Sequence, residues 1–255
     1  MDKLNVNGIQ IAYQRHGSGM PLVLLHGYPL DHTIWDEVVP LLEDRFDLIL
    51  PDLRGFGQSE TVEAQYTIAD MAADVAALLD ELGIENTYIT GHSMGGYVAL
   101  DFVRNTPERV LGLGLVSSQA LGDSPERKAG RYAAADEIMR TGVGPVAESM
   151  SPKLTPDGRV QAFVRALIAE QRPTGLANAL KAMAERFDST SAIPTFNFPV
   201  VLVHGTKDEL IPVERAREIK AAIKPAHLVE LSGVGHMPMM EDPKKTADTL
   251  RKLIP

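Results

Sequence analysis

Cysteine is absent from all 255 residues. That excludes disulfides, thiol nucleophiles and thiolate metal sites, and it fits a reducing cytoplasm. Long apolar runs are missing too, and none approaches the roughly 20 residues that span a bilayer. The opening stretch, Met1-Asp2-Lys3-Leu4-Asn5-Val6, lacks the basic-then-apolar order of a secretory signal. A cytoplasmic location is therefore expected. Positive charge is scarce: 25 Lys and Arg against 34 Asp and Glu leave a net charge of −9. Nucleic acid and anionic membrane both need a positive surface, so neither is expected as a partner. What is present, 44% hydrophobic residues, can bury a core in one large α/β domain or a domain with an insertion.

Apolar runs alternate with helical patterns along the chain. Leu4 to Val6 and Ile9 to Tyr13 flank Asn7-Gly8, a strong hairpin signal. Pro21 to Leu25, Phe46 to Leu50, Thr87 to Thr90 and Val110 to Val116 have the continuous apolar character of strands buried on both faces. Helical spacing is predicted for Thr33 to Leu42, Ile68 to Leu82 and Met94 to Arg104. The alternation predicts a mostly parallel sheet with helices on both faces. It breaks after Val116: as far as Pro194 only helix signals occur, with Ser124-Pro125, Thr155-Pro156 and Thr174 as helix starts. Strands Val200 to Val203 and His227 to Leu231 then resume the rhythm, with helices from Pro212 to Ile223 and Pro243 to Leu253. Residues 1–117 and 195–255 are expected to form the core. Residues 118–194 are expected to form a helical cap over the strand ends, where open α/β sheets bind ligands.

One strand-to-helix junction reads Gly91-His92-Ser93-Met94-Gly95-Gly96. Small residues around a serine allow a turn that exposes its hydroxyl beside the amides opening the next helix. A serine hydroxyl needs a base to take its proton, and the base needs a third group to orient it. Among seven histidines, His236 lies in a glycine-rich loop, Ser232-Gly233-Val234-Gly235-His236, between the last strand and last helix. Asp208 follows the strand ending at Val203 and can orient that imidazole; Glu209 and Asp123 compete as the acid. The order Ser93, Asp208, His236 is that of serine hydrolases with a nucleophile elbow. Two N–H donors are needed for the developing oxyanion, and the amides of Met94 and of Tyr28, in His26-Gly27-Tyr28-Pro29, are the candidates. His26 is expected to organise its loop rather than act as a base.

With these pieces in place the chain resembles the α/β-hydrolase fold family along essentially its whole length. Leu25-His26-Gly27-Tyr28-Pro29, Asp52-Leu53-Arg54-Gly55-Phe56-Gly57-Gln58-Ser59, Gly91 to Gly96, Gly205-Thr206-Lys207-Asp208 and Gly235-His236 occur in family order. The resemblance implies an eight-stranded, mostly parallel sheet, a helical cap after the sixth strand, and Ser93, Asp208 and His236 as a triad. It also implies a bracing role for Asp52 to Ser59 and no metal or organic cofactor. Serine at position 93 separates the chain from haloalkane dehalogenases and epoxide hydrolases, which place aspartate there. Small bacterial carboxylesterases, 3-oxoadipate enol-lactonases and cofactor-free perhydrolases are the most similar groups. His92 departs from the asparagine that carbon–carbon bond hydrolases of the fold often carry.

The expected chemistry is hydrolysis of small carboxylic esters through an acyl-enzyme. An enol-lactonase or perhydrolase on the same site, or a ligand-binding protein with little turnover, are the alternatives. Trp35, Met139, Phe163, Met183 and Met237 are candidate pocket residues, since methionine suits adaptable apolar linings. A lactone bearing a carboxylate would need a cation, for which Arg127, Arg131, Arg140, Arg165, Arg172 and Arg186 are available in the cap. Monomer and homodimer both remain open.

Overall fold

The computed structural model describes residues 1–223 and 225–254. Asn7 and Gly8, at φ 51° and 81°, turn β1 (Asp2–Val6) back onto β2 (Ile9–Gly17), as a two-residue turn with both central residues left-handed does. Six further strands follow: β3 (Met20–Leu25), β4 (Phe46–Pro51), β5 (Thr87–His92), β6 (Val110–Val116), β7 (Val200–Gly205) and β8 (His227–Leu231). They line up as β1-β2-β4-β3-β5-β6-β7-β8. Strand β2 is antiparallel to both neighbours, and the pairings from β4 through β8 are parallel.

Side chains alternate across this sheet into two apolar layers. Val23, Leu25, Ile49, Ile89 and Leu113 join one layer, and Leu22, Leu24, Leu48, Leu50 and Val203 join the other. Helices α1 (Ile68–Glu81) and α2 (Met94–Asn105) cover the first layer through Met71, Val75, Val98 and Phe102. A reciprocal cap starts α1: the Thr67 hydroxyl accepts the Asp70 amide and the Asp70 carboxylate accepts the Thr67 amide. Between β6 and β7 lie α3 (Pro125–Thr141), α4 (Gly144–Leu154), α5 (Gly158–Ala169) and α6 (Pro173–Ala184). This four-helix segment meets the loops leaving the C-terminal ends of the strands. The Tyr66 hydroxyl donates to the Gly175 carbonyl (3.2 Å), the Gly57 amide to Gln171 (3.1 Å) and the His236 amide to the Leu154 carbonyl (2.8 Å). Helices α7 (Glu214–Ala222), α8 (Pro238–Glu241) and α9 (Pro243–Leu250) complete the chain. Among the described residues, no helix is long and apolar enough to cross a membrane.

Three local expectations change. The helix predicted over 33–42 is instead two 3-10 turns, His32–Trp35 and Val39–Leu41. Pro40, which has no N–H and crowds the preceding turn, prevents a continuous helix there. Helix α4 was not predicted as an element, because Gly144, Pro145 and Pro152 mask its pattern. Thr155 and Thr174 are not the capping side chains of the helices that follow them. Asp157 caps α5 by accepting the amides of Arg159 and Val160, while α6 begins at Pro173 without a side-chain cap.

Candidate active site

Ser93 sits between β5 and α2 with φ 51° and ψ −114°. A non-glycine residue there costs on the order of 1–3 kcal/mol and persists only where its surroundings enforce it. The enforcement is visible. The Ser93 amide donates to the Val116 carbonyl (3.0 Å), and the Ser93 carbonyl accepts from the Gly96 amide (2.9 Å) and the Ser118 hydroxyl (2.8 Å). Gly95 is required by close approach, since a Cβ there would lie 2.6 Å from the carbonyl oxygens of Leu25 and His26. Ser93 keeps partial exposure while its neighbours His92 and Met94 are fully buried. The Met94 amide opens α2, among the helix-start amides that lack intrahelical acceptors.

Adjacent to this turn lies His236, only 1% exposed. Its Nδ1 is 2.7 Å from Asp208 Oδ2. A carboxylate only accepts, so the proton is assigned to Nδ1 and the lone pair to Nε2 in the neutral ring. His236 Nε2 is buried without a hydrogen-bond partner among the described residues. Asp208 Oδ1 accepts the amides of Leu210 and Ile211, each at 2.9 Å. Burial opposes ionisation of Asp208, but His236, His204 and the Ile211 amide outweigh it and hold the carboxyl far below the usual carboxylate range. The His236 backbone is clamped as well. His92 Nε2–H donates to its carbonyl (2.8 Å), the two rings tilt at 4.8 Å, and Glu241 accepts the amides of Gly235 (2.9 Å) and Met237 (3.2 Å). Burial and the neighbouring His236 push His92 well below the ordinary histidine range, so it is neutral.

The loop after β3 closes over the serine. A Cβ at Gly27 would lie 2.5 Å from His92 Nδ1 and 3.0 Å from the Ser93 Cβ, so only glycine lets this backbone come so near. His26 Nε2 accepts the Leu53 amide (2.9 Å), which leaves Nδ1–H to donate to the Gly27 carbonyl (3.1 Å). Burial lowers its pKa, keeping the ring neutral. The Tyr28–Pro29 peptide is cis, and the Tyr28 ring stands edge-on to Phe56. Asp52 braces this region: Oδ1 accepts His32 Nδ1–H (2.6 Å) and the His32 amide (3.0 Å), and Oδ2 accepts the Gln58 amide (2.8 Å). Asp31, His32 and Asp52 bring three possible ligand atoms within 4.8 Å, yet the His32 Nδ1–H is spent on Asp52.

The Tyr28 side chain also lines an apolar groove of about 250 Å³ with Ile138, Val146, Met150 and Leu180. The five candidate pocket residues lie elsewhere. Trp35 and Met237 are fully buried in the layer packed by α9, and Met183 is buried beside Arg131. Met139 is 55% exposed, and Phe163 lines a separate recess with Ile34, Val160 and Met240. The helical period places a side chain on a face but not over a given loop, so Leu180 could not be singled out beforehand. The six arginines considered as partners for a substrate carboxylate are engaged. Arg127, Arg131 and Arg186 converge on Asp123, with Arg186 Nη1 at 2.7 Å. Arg140 pairs with Glu137 (2.6 Å), Arg165 with Glu148 (3.5 Å), and Arg172 donates to the Ser59 carbonyl (3.1 Å). Asp123 thus belongs to an arginine cluster, and Glu209 is exposed. His204 and Glu241 were not recognised as site residues. Their one sequence signal is proximity, four residues before Asp208 and five after His236.

A family model for the α/β hydrolase fold matches residues 20–243. The chain belongs to the α/β-hydrolase fold family and is a hydrolase by class. A thermophilic esterase from Thermogutta terrifontis is 35% identical, covering 98% of this chain and 96% of that one, with a TM-score of 0.94. The enol-lactonase of Burkholderia xenovorans LB400 is 25% identical over 99% of each chain, with a TM-score of 0.91. An uncharacterised protein of Mycobacterium tuberculosis is 31% identical, covering 98% of this chain and 79% of its own.

Proposed function

We propose that the protein hydrolyses small, uncharged carboxylic esters through an acyl-enzyme on Ser93. The observation that carries this reading is the strained Ser93 turn beside a His236–Asp208 pair bonded at 2.7 Å. His236 Nε2 takes the Ser93 hydroxyl proton as Oγ attacks the ester carbonyl. The amides of Tyr28 and Met94 receive the negative oxygen of the tetrahedral intermediate. Collapse breaks the bond to the alcohol, which leaves with the proton from His236. Water then gives a proton to His236, attacks the acyl carbonyl and releases the acid, and the proton returns to Ser93. Asp208 stays ionised throughout and stabilises the imidazolium at each attack.

Residues 118–194 act as the cap in this reading, and its apolar groove beside Tyr28 receives the hydrophobic part of the substrate. That lining, and the engagement of all seven cap arginines, the seventh being Arg159 paired with Glu37 at 2.8 Å, favour an uncharged ester over a carboxylate-bearing lactone. The likeness to an enol-lactonase keeps lactone hydrolysis as a second substrate geometry for the same catalytic steps. Hydrolysis of p-nitrophenyl acetate, butyrate and octanoate tests the proposal. Ser93→Ala and His236→Ala are expected to lose about 10⁴-fold in kcat. Retention of wild-type turnover by Ser93→Ala would contradict it.

A further inference from the structure

Asp208 meets a second histidine that the catalytic steps above do not use. His204 is the penultimate residue of β7, is 1% exposed, and lies four residues before the acid. The His204 Nε2–H donates to the Ile211 carbonyl at 2.8 Å. A carbonyl cannot donate, so the proton must be on Nε2. The same nitrogen stands 3.2 Å from Asp208 Oδ2, off the axis of its main hydrogen bond. That is the carboxylate oxygen His236 also uses, at 2.7 Å. Ile211 closes the circuit, because its amide donates to Asp208 Oδ1 while its carbonyl is held by His204.

We infer that His204 is a positioning residue for the triad acid, fixing the Asp208 loop and drawing off part of the negative charge that Asp208 presents to His236. The inference rests on the hydrolase reading of Ser93, Asp208 and His236. Its physical content is a competition for one oxygen. A donor dipole aimed near Oδ2 stabilises the carboxylate, and an already satisfied carboxylate is a weaker partner for an imidazolium. Both a neutral and a protonated His204 act in the same direction, so the sign does not depend on its charge.

The other titratable groups around this pair are few. His92 of β5 lies against His236 with its ring tilted at 4.8 Å, and Glu241 of α8 holds the amides on either side of it. Glu230 of β8 is the strand partner of His204, and its carboxylate is engaged by Arg217 at 2.6 Å. None of these donates to Asp208 Oδ2 among the described residues.

The test is the pH profile of kcat/KM for p-nitrophenyl butyrate, measured with wild type, His204→Leu and His204→Gln. Removing the donor strengthens the hold of Asp208 on the imidazolium. His204→Leu should therefore move the acid-limb midpoint upward by about 0.5–1 pH unit. His204→Gln, which offers an amide N–H at nearly the same reach, should return it toward wild type. If His204→Leu does not fold, His204→Asn, too short to reach the carboxylate, carries the same expected shift. A lower kcat or melting temperature with an unmoved midpoint would overturn the inference and leave a purely structural histidine. A wild type without esterase turnover would overturn the hydrolase reading itself, and the inference with it.

Discussion

Ser93 carries two kinds of information, and only one of them is local. Its position between β5 and α2 follows from an apolar run, a glycine pair and a helical pattern, all written within a dozen residues. Its left-handed backbone is imposed from outside, by Val116, Ser118 and the carbonyls that crowd Gly95. Gly27 is the same case in a distant loop. Its closeness to His92 and Ser93 means that Gly27→Ala must push either the imidazole or the serine aside. A displacement of about 1 Å at the reacting atoms can cost on the order of 100-fold, so Gly27→Ala is expected to lose about that much in kcat/KM. Steady-state kinetics with the variant alongside its melting temperature would check this. Unchanged turnover would place the Gly27 loop outside the catalytic geometry. His204 shows where residue-level reading stops. As the last polar residue of a strand it looks like a terminus, and only the return of the chain through Ile211 shows what its Nε2 meets.

Elements were legible in proportion to how continuously they are buried. The central strands, apolar at nearly every position, follow the sequence closely because a strand covered on both faces has no polar side to confuse the pattern. Helices α3 and α4 were harder. Only Ala135 and Ile138 are buried along the 17 residues of α3, so little periodicity marks which face turns inward. The segment over 33–42 failed for the opposite reason: its spacing suits a helix, but Pro40 denies one. The short helix α8 has a role that its length conceals. Glu241 at its end accepts both amides flanking His236, although burial pushes its pKa up. Glu241→Ala would strip two amides of their acceptor, at about 1–3 kcal/mol. We expect a lower urea midpoint together with a fall in kcat that exceeds any change in KM. A fall in stability with kcat unchanged would show that the loop holds His236 without this clamp.

At the scale of the molecule, the sheet order brings residues 93, 208 and 236 together at one rim, though 143 positions separate the first from the last. That gathering is a property of parallel topology, in which successive strands return their C-terminal ends to the same edge. The triad candidates could therefore be chosen from the order of elements, before any distance was known. The groove could not, because it forms where α3, α4 and α6 meet the Tyr28 loop, and helix-to-loop contacts leave no periodic trace in sequence. The same topology makes the central claim one of covalent chemistry at a single atom. Incubation with a fluorophosphonate, followed by mass spectrometry of the digested protein, tests it most directly. One adduct is expected, on the peptide containing Ser93, lost in Ser93→Ala and strongly slowed in His236→Ala. An unlabelled wild type, or an adduct on another residue while Ser93→Ala still hydrolyses esters, would contradict it.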